Sequence, residues 1–473
     1  MASLARLAGY RWLVVGTVCI GAFLGQLDAS IATLVLPTLE QAFHAPTAAV
    51  EWVAISYLLT LAGLVVIFGR LADMAGRKLL YNAGFIVFIA GSALCGLASS
   101  LGSLIVFRVF QAVGAAMLQS NSVAIITAAV PRRELGRAIG VQGAAQAVGL
   151  SIGPSLGGVL IAAFGWQWVF YISVPFGIVG AIVAWFVLPC TKREDVPGDA
   201  KERFDWLGAT TLTAAIALAL LALTFGNTWG WTSPRLFVAT AGSALALAGF
   251  AWIERRATFP LLDFQLFRSR IFSAGILSGL FSYAVLFGAL FVLPFFLQRA
   301  LGHDPASTGL LLTVVPVSIA ALAPVSGLLA DRLGARLPTV LGMALAAVSL
   351  LALTLVAAPS TGTIVAACAL FGIGLGFFTP ANNSAIMGSA PLKRLGVAGG
   401  ILNMTRSLGT SLGVAATGTV LALSVGRSFE NTIALPPGAL LEGFRHSLIF
   451  LTALACVAGC ISATRGRRAS RTL

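Results

Sequence analysis

One carboxylate stands apart from the other acidic residues of the chain. Of the 16 Asp and Glu residues, Asp28 alone lies deep inside a long apolar stretch, and the others lie in polar segments or at their edges. A charge at the centre of a bilayer costs about 2.5–3.5 kcal/mol on insertion scales, and such residues normally face a cavity. A carboxylate that alternates between wet and closed surroundings can load and release a proton. We therefore expect Asp28 to couple protons to a substrate; the alternative is a structural residue that fixes its segment by hydrogen bonds.

Two cations are also isolated within apolar stretches. Arg108 lies one helical turn before Gln111, and Arg406 follows Asn403 in a short polar run. Because intramembrane cations normally face a cavity or a partner, we interpret Arg108 as a partner of Asp28 in proton coupling, and Gln111, Asn403 and Arg406 as cavity or gating residues. The alternative for each arginine is a packing role in which backbone carbonyls accept its hydrogen bonds.

A glycine-rich stretch lies in the second half of another apolar segment. Gly149, Gly153 and Gly157 are spaced four apart and share one helix face, Gly158 follows them, and Pro154 removes a backbone hydrogen bond. This pattern predicts a close helix contact with a hinge, which would seal or gate a cavity. Ordinary packing of small residues is the alternative.

The sequence contains no enzyme motif in a context that would support catalysis. The run from Gly149 to Gly153 matches the Gly-x-Ser-x-Gly nucleophile motif, but no strand precedes it and the three histidines lie outside the apolar stretches or at the edge of one. No Gly-x-x-x-x-Gly-Lys-Ser/Thr loop occurs, so ATP hydrolysis is not the expected energy source. The six cysteines show no metal-ligand or disulfide spacing. We expect neither an enzyme nor a bound metal or organic cofactor.

The elements that must position these residues are membrane spans. Hydrophobic residues make up 58% of the 473 residues and charged residues 10%, a composition that excludes a soluble globular protein. One span needs about 20 apolar residues. Fourteen candidate spans lie near 12–36, 51–69, 79–99, 104–129, 137–162, 167–188, 207–225, 235–253, 271–297, 306–330, 337–358, 362–388, 397–425 and 444–463.

The basic residues give the orientation. Most of the 30 Lys and Arg residues fall in alternate loops and the two termini, and only Arg235, Arg299, Arg427 and Arg445 fall on the other side. Since basic loops stay in the cytoplasm, both termini are predicted to be cytoplasmic in a multi-pass cell-membrane protein. The formal charge of +14 is thereby explained without a nucleic-acid partner.

The chain divides into two similar halves. Residues 1–188 and 271–473 are each predicted to form a six-helix bundle, the second with a basic tail, and polar linkers at 189–205 and 254–270 flank a two-helix hairpin at 206–253. The loop with Gly69, Asp73, Gly76 and Arg77 recurs in register in the second half. That second copy contains Asp331 and Arg332. Repeats of the same orientation suggest two bundles around a central cavity.

These features together resemble the major facilitator superfamily, and within it the fourteen-span drug:proton antiporters. The resemblance is carried by residues 69–78 (GRLADMAGRK), 27–37 (LDASIATLVLP), 108–116 (RVFQAVGAA), 149–158 (GLSIGPSLGG) and 166–175 (WQWVFYISVP). It implies an all-α integral membrane fold of fourteen transmembrane helices. It also implies alternating access, with Arg108 placed to affect protonation of a carboxylate. From the loop charges we expect a cytoplasmic gate, which separates when the cavity opens inward and consists of Gly69, Asp73, Gly76, Arg77, Asp331 and Arg332. The alternative is that these loop residues only fix the topology.

The expected activity is proton-coupled efflux of lipophilic drugs or antibiotics by a monomer, with membrane lipid and a small amphiphilic substrate as partners. Protons serve as the coupling ion. Export of a native metabolite, such as an amino acid, a siderophore or a self-made antibiotic, stays open. A channel or a membrane sensor without transport is the alternative from another class.

Overall fold

The computed structural model describes residues 9–189, 204–230, 232–257, 261–262, 264–303, 305–355, 360–425 and 437–465. Most of the predicted linker 189–205 and the basic tail from residue 466 onward lie outside the described residues. Where described, the chain is helical and contains no strand. Its α-helices are α1 (Tyr10–Leu34), α2 (Leu36–Phe43), α3 (Thr47–Val50), α4 (Trp52–Ala75), α5 (Arg77–Gly96), α6 (Leu101–Ala129), α7 (Leu135–Phe164), α8 (Trp168–Tyr171), α9 (Ser173–Val187), α10 (Trp206–Trp229), α11 (Pro234–Arg256), α12 (Arg270–Phe295), α13 (Pro305–Leu333), α14 (Arg336–Leu355), α15 (Thr361–Ser389), α16 (Leu395–Val425) and α17 (Pro437–Ala463).

The long helices match the predicted spans. Among the described residues, 13 helices are long and apolar enough to cross a membrane, and α7 makes 14 when its bent halves count as one span. The bend in α7 is 42° and falls between Gly153 and Ser155. Proline removes one backbone hydrogen bond and its ring pushes on the preceding turn, so Pro154 accounts for a bend at this place. The predicted all-α membrane fold is confirmed.

Backbone hydrogen bonding explains why only helices occur within the apolar stretches. A bilayer offers no water to unpaired N–H and C=O groups, so each spanning segment must satisfy its own backbone. Side chains cap several helix starts: Ser100 and Ser103 form a reciprocal capping box on α6, and Asp205 accepts from the Gly208 N–H of α10 at 2.8 Å. These caps place the helix ends where polar loops begin.

Six helices at each end of the chain pack in the same pattern. In the first set, α1 packs against α7 and α9, α6 against α4 and α5, and α5 also against α9. In the second set, α12 packs against α16 and α17, α15 against α13 and α14, and α14 also against α17. The two sets are here called the N bundle and the C bundle. Their equivalent neighbours follow the order of the helices along the chain, as expected of an internal repeat.

The bundles meet along two seams, α4 against α16 and α7 against α13. The hairpin α10–α11 packs through α10 on α4 and α16. Thr213 of α10 donates from its hydroxyl to the Gly63 carbonyl of α4 at 3.1 Å. The hairpin therefore covers the first seam. On its outer side, α11 exposes large apolar side chains such as Leu245, which fits contact with lipid tails.

The described helix ends that carry the predicted basic loops share one side of the molecule, here called the basic side. It includes the end of α4 near Arg70, the starts of α5, α7, α14 and α16, and the end of α13. The opposite side includes the start of α6 near Ser100 and the start of α15 near Ser360.

Candidate functional site

Asp28 lies in a closed cluster between α1 and α6. Arg108 donates from Nη1 to Asp28 Oδ2 at 2.9 Å, and Gln111 donates from Nε2 to Asp28 Oδ1 at 2.9 Å. Arg108 Nη1 also donates to Gln111 Oε1 at 2.6 Å, and Gln111 Nε2 to Ser92 Oγ at 2.7 Å. Both carboxylate oxygens therefore accept hydrogen bonds, and the charge of Asp28 is balanced at contact distance.

The rest of the enclosure is provided by neighbouring helices. The Nε of Arg108 donates to the Val53 carbonyl of α4 at 3.2 Å, and its guanidinium lies over the Tyr57 ring, 4.2 Å from the centroid. Phe170 lies beyond it at 5.6 Å. Asp28 is 2% exposed and Arg108 is 1% exposed. The pair is therefore held away from water and away from lipid.

This geometry links the charge of Asp28 to the contact between α1 and α6. Removing one charge of a buried pair leaves the other uncompensated, which costs about 3–5 kcal/mol, whereas the intact pair is close to neutral in energy. Protonation of Asp28 would cancel its charge and leave Arg108 without a counterion.

A second polar region lies between the bundles. It is a narrow pocket with a cavity volume of about 20 Å³. Its lining consists of Val123, Ile139, Gln142, Gly143, Gln146, Tyr283, Thr379, Pro380, Asn383, Leu402, Asn403 and Arg406. These residues come from α6 and α7 of the N bundle and from α12, α15 and α16 of the C bundle, so relative motion of the bundles would change its width.

The structure places Asn403 and Arg406 in this pocket, but not Asp28. Asn403 donates from Nδ2 to the Gln119 carbonyl across the bundle boundary at 3.0 Å, and also to the Gly399 carbonyl of its own helix at 3.0 Å. The Arg406 guanidinium lies over the Tyr283 ring at 5.8 Å. The expectation that Asp28 lines the cavity is not met in this conformation, because Arg108 and Gln111 hold the carboxylate within the N bundle.

The repeated loops close the basic side of the molecule. The carboxylate of Asp73, at the end of α4, accepts from the N–H groups of Gly396 and Val397 at 3.0 and 3.1 Å. In the other half, the carboxylate of Asp331 accepts from the N–H groups of Gly136 and Arg137 at 2.7 and 2.9 Å. Each carboxylate thus reaches the start of a helix in the opposite bundle, where free N–H groups and the helix dipole favour an anion.

Glycines permit the same approach twice. A Cβ atom at Gly69 would overlap the Gly396 carbonyl, and one at Gly327 would overlap the Gly136 carbonyl. The turn after α4 also needs glycine, because Gly76 has φ +103°, a region that other residues rarely adopt. The predicted loop residues therefore meet the opposite bundle through backbone contacts.

The arginines of the two loops differ. Arg77 pairs with Asp73 of its own bundle at 2.9 Å and donates to the Leu392 carbonyl of the C bundle at 2.8 Å. Arg332 is exposed, and the bridging hydrogen bonds in its half are made by Asp331.

The glycine stretch of α7 faces α1. A Cβ atom at Gly149 would lie 2.6 Å from the Phe23 carbonyl, and one at Gly153 would overlap Ser30. Gly157 is buried, whereas Gly158 is exposed with open space beside it, so close packing does not account for Gly158. The side chain of Pro154 lies outside what the structure describes. This stretch therefore joins α7 to the helix that carries Asp28.

Several site residues were missed by sequence reasoning. Ser92 and Tyr57 complete the charge cluster, and Gln142, Gln146 and Tyr283 line the pocket. The glutamines carry a detectable signal, because they lie four residues apart in an apolar segment and therefore share a helix face. The helix starts that receive Asp73 and Asp331 also carry one: both read Pro-x-x-x-Leu-Gly-x-Ala, at residues 131–138 and 391–398.

Comparison with known proteins places this geometry in context. The sequence model of the Major Facilitator Superfamily matches residues 18–414. The chain is 33% identical to the tetracenomycin C resistance and export protein of Streptomyces glaucescens, over 90% of this chain and 78% of that protein. It is 32% identical to the multidrug resistance protein Stp of Mycobacterium tuberculosis, over 87% and 76%. It is also 32% identical to the riboflavin transporter RibZ of Clostridioides difficile, over 88% and 89%.

A solved structure has the same fold. The human organic anion transporter MFSD10 superposes with a TM-score of 0.68 at 16% sequence identity, over 96% of this chain and 99% of that chain. The repeated bundles, the twin loops and the sequence match agree, and the family and fold are those of transporters, not enzymes. This multi-pass membrane protein belongs to the major facilitator superfamily.

Proposed function

We propose that this transporter is a proton-coupled exporter of lipophilic compounds that works by alternating access. The observation that carries the proposal is the buried pair of Asp28 and Arg108, which lies between two helices of one bundle and apart from the pocket between the bundles. Such a separation lets a proton act on helix packing while a substrate occupies a different place. The relatives named for multidrug resistance and antibiotic export support an efflux role.

The closed basic side represents one of two alternating states. In our scheme the basic side is cytoplasmic, because basic loops resist translocation. A proton arriving from outside neutralises Asp28 and loosens the pair with Arg108. The bundles then separate at Asp73 and Asp331, and the pocket opens toward the cytoplasm for loading. Release of the proton inward restores the pair, closes the basic side and delivers the substrate outward.

The energy of each cycle depends on the substrate charge. One deep carboxylate suggests about one proton per cycle. Exporting a monocation for one proton is electroneutral, so only the pH gradient drives it. Exporting a neutral compound moves one charge inward and gains about 2.3 kcal/mol per 100 mV.

The cellular setting follows from the same scheme. We propose a monomer in the cell membrane, with both termini in the cytoplasm and lipid around the apolar outer faces. Protons are the coupling ion, and the proposed cycle needs neither a metal nor an organic cofactor. A small amphiphilic substrate is the partner that enters the pocket.

A second candidate is transport of a native metabolite. The similarity to a riboflavin transporter over most of both chains favours it, as do the amide side chains that line the pocket. Uptake of a compound panel into vesicles would separate the two candidates by substrate.

The test of the proposal is a drug-susceptibility panel in a sensitive bacterial host, with and without a protonophore. We expect expression to raise resistance to several lipophilic compounds, and we expect the protonophore or Asp28→Asn to abolish the gain. Glu40→Gln is the matched control, because it removes one carboxylate outside the cluster. Resistance that survives in Asp28→Asn at wild-type expression would remove the carboxylate from the mechanism.

A further inference from the structure

The pocket between the bundles offers hydrogen-bond donors that have no acceptor. Arg406 has the one charged side chain among the described residues that line it, and within the described part of the chain its guanidinium contacts a ring but no carboxylate. Gln142 is 3% exposed, and its buried Nε2 has no hydrogen-bond partner among the described residues. Both groups belong to the same pocket lining, one from each bundle.

The intramembrane carboxylate of Asp28 does not compensate the charge of Arg406. Both oxygens of Asp28 are engaged by Arg108 and Gln111 within the N bundle. The partly buried guanidinium of Arg406 has no counter-charge in the lining, and the buried N–H group of Gln142 has no acceptor among the described residues. Both arrangements are unfavourable, since desolvation is not repaid by a bond. A ligand that brings a negative charge and acceptor oxygens would repay both.

We propose that this pocket selects organic anions: compounds with a carboxylate or an ionised hydroxyl on an apolar, ring-containing frame. Arg406 pairs with the anionic group, and Gln142 donates to a second oxygen. The guanidinium keeps one face on Tyr283 and presents its in-plane N–H groups to the ligand. This inference rests on the proposed function for its pocket, and it names the substrate class.

The rest of the lining suits the frame of such a compound. Val123, Ile139 and Leu402 supply apolar contacts, and Asn383 and Gln146 supply further polar groups in the same lining. A compound with a fixed positive charge would meet Arg406 without an acidic partner in the lining, so the pocket disfavours it. Multivalent cations are disfavoured most.

Charge balance gives this substrate class a distinct electrical signature. When one proton enters and one monoanion leaves, the net charge movement in each cycle is equivalent to two positive charges moving inward. Membrane voltage then drives transport more strongly than it drives export of a neutral compound. A monocation exchanged for one proton would show no such dependence.

The experiment measures equilibrium binding of two dyes that share the xanthene ring system and differ in charge. Fluorescein is anionic at pH 7.5 and rhodamine 123 is cationic. Binding to the purified full-length protein is followed by fluorescence anisotropy. We expect fluorescein to bind more tightly than rhodamine 123, and Arg406→Gln to weaken fluorescein binding about tenfold or more, as loss of a charge-assisted hydrogen bond does.

Three further variants make the result specific. Arg406→Lys keeps the charge and should retain part of the fluorescein affinity, and Gln142→Met should weaken it without changing charge. Arg255→Gln removes one positive charge from an exposed position outside the pocket and should bind both dyes as the wild type does.

Each outcome of the binding experiment either supports or overturns the inference. Wild-type protein that prefers rhodamine 123 or binds no fluorescein overturns the inference, and so does Arg406→Gln with unchanged fluorescein affinity. No proton gradient is present, so the result is independent of the coupling scheme. The Asp28→Asn variant separates the two proposals. If it still binds fluorescein, this inference stands, whatever transport by the same variant shows about the proton scheme.

Discussion

Replacing the two gate carboxylates by amides should open the basic side of the transporter. Asn in place of Asp73 or Asp331 keeps one acceptor oxygen, so each variant loses at least one of two charge-assisted hydrogen bonds to the opposite bundle. The pair between Asp73 and Arg77 lies within one bundle and is available whether the bundles are closed or open, so its loss affects both states alike. The net penalty therefore falls on the closed state.

The magnitude follows from the number of bonds. A hydrogen bond to a charged group contributes about 1.5–3 kcal/mol, and each 1.4 kcal/mol is about tenfold in an equilibrium. Each single variant should therefore shift the balance toward the open state about 10- to 100-fold. The bonds to Asp331 are shorter than those to Asp73, so Asp331→Asn should have at least as large an effect. The two sites share no partner, so the double variant should be close to additive.

A distance measurement reports this shift directly. Leu79 of α5 and Leu337 of α14 are exposed, and both lie at the basic side in opposite bundles. Spin labels on cysteines at these positions, in a background without the six native cysteines, would report the separation of the bundles by pulsed EPR. Glu134→Gln is the matched control, because its ion-pair partners Arg11 and Arg133 lie in the N-terminal half with it and not in the C bundle. Unchanged distance distributions in Asp73→Asn and Asp331→Asn would refute the gate.

Three further variants test other parts of the structure. Arg108→Gln should lower the melting temperature in detergent strongly, because about 3–5 kcal/mol is lost when a buried charge loses its partner; adding Asp28→Asn should recover most of the loss. Gly327→Ala should hold the basic side open and slow transport, because its Cβ would overlap the Gly136 carbonyl. Arg406→Gln should raise the melting temperature by an amount that corresponds to roughly 0.5–2 kcal/mol, because an uncompensated cation leaves the pocket.

Matched controls keep these results interpretable. Gly16→Ala makes the same chemical change as the gate variant at an exposed α1 position with open space, and it should transport normally. Arg255→Gln should leave the melting temperature unchanged. A double charge-cluster variant no more stable than Arg108→Gln would contradict the pair energetics, and a Gly327→Ala protein with a closed basic side would contradict the backbone contact. An Arg406→Gln protein that is less stable than the wild type would show that the arginine has a structural partner.

The isolated charges of the cluster were predictable from sequence, but their geometry was not. Asp28 and Arg108 stand out because intramembrane charges are costly, and that cost also requires a partner. The sequence does not show which partner is chosen, since α1 and α6 are brought together only by bundle packing. For the same reason the sequence placed Asp28 in the cavity, whereas the structure holds it against Arg108 and Gln111 within the N bundle.

The gate was half predictable. The repeated loop around Asp73 and Asp331 is visible as a repeat, and its partners at residues 131–138 and 391–398 repeat as well. What the sequence does not contain is the crossed pairing, in which the loop of each half reaches a helix start of the other half. That pairing depends on how the two bundles pack against each other.

The roles of the polar pocket residues and of one arginine near the C-terminus could not be predicted from the sequence, for another reason. Gln142 and Tyr283 are ordinary within an apolar composition, and only the meeting of α7 with α12 and α16 gives them a shared role. Arg465 reads as part of a basic tail, yet its side chain is 2% exposed and donates to Ser278 and Asn382 of the C bundle. Burial of such side chains is set by tertiary packing.

The central claim is that Asp28 couples the proton to the substrate, and transport in reconstituted vesicles tests it most directly. Two activities are measured for the wild type and for Asp28→Asn: accumulation of substrate driven by an imposed pH gradient, and exchange of labelled for unlabelled substrate without a gradient. Our account predicts that the variant loses accumulation and keeps exchange. A variant that still accumulates substrate against its gradient at the wild-type level would contradict the account.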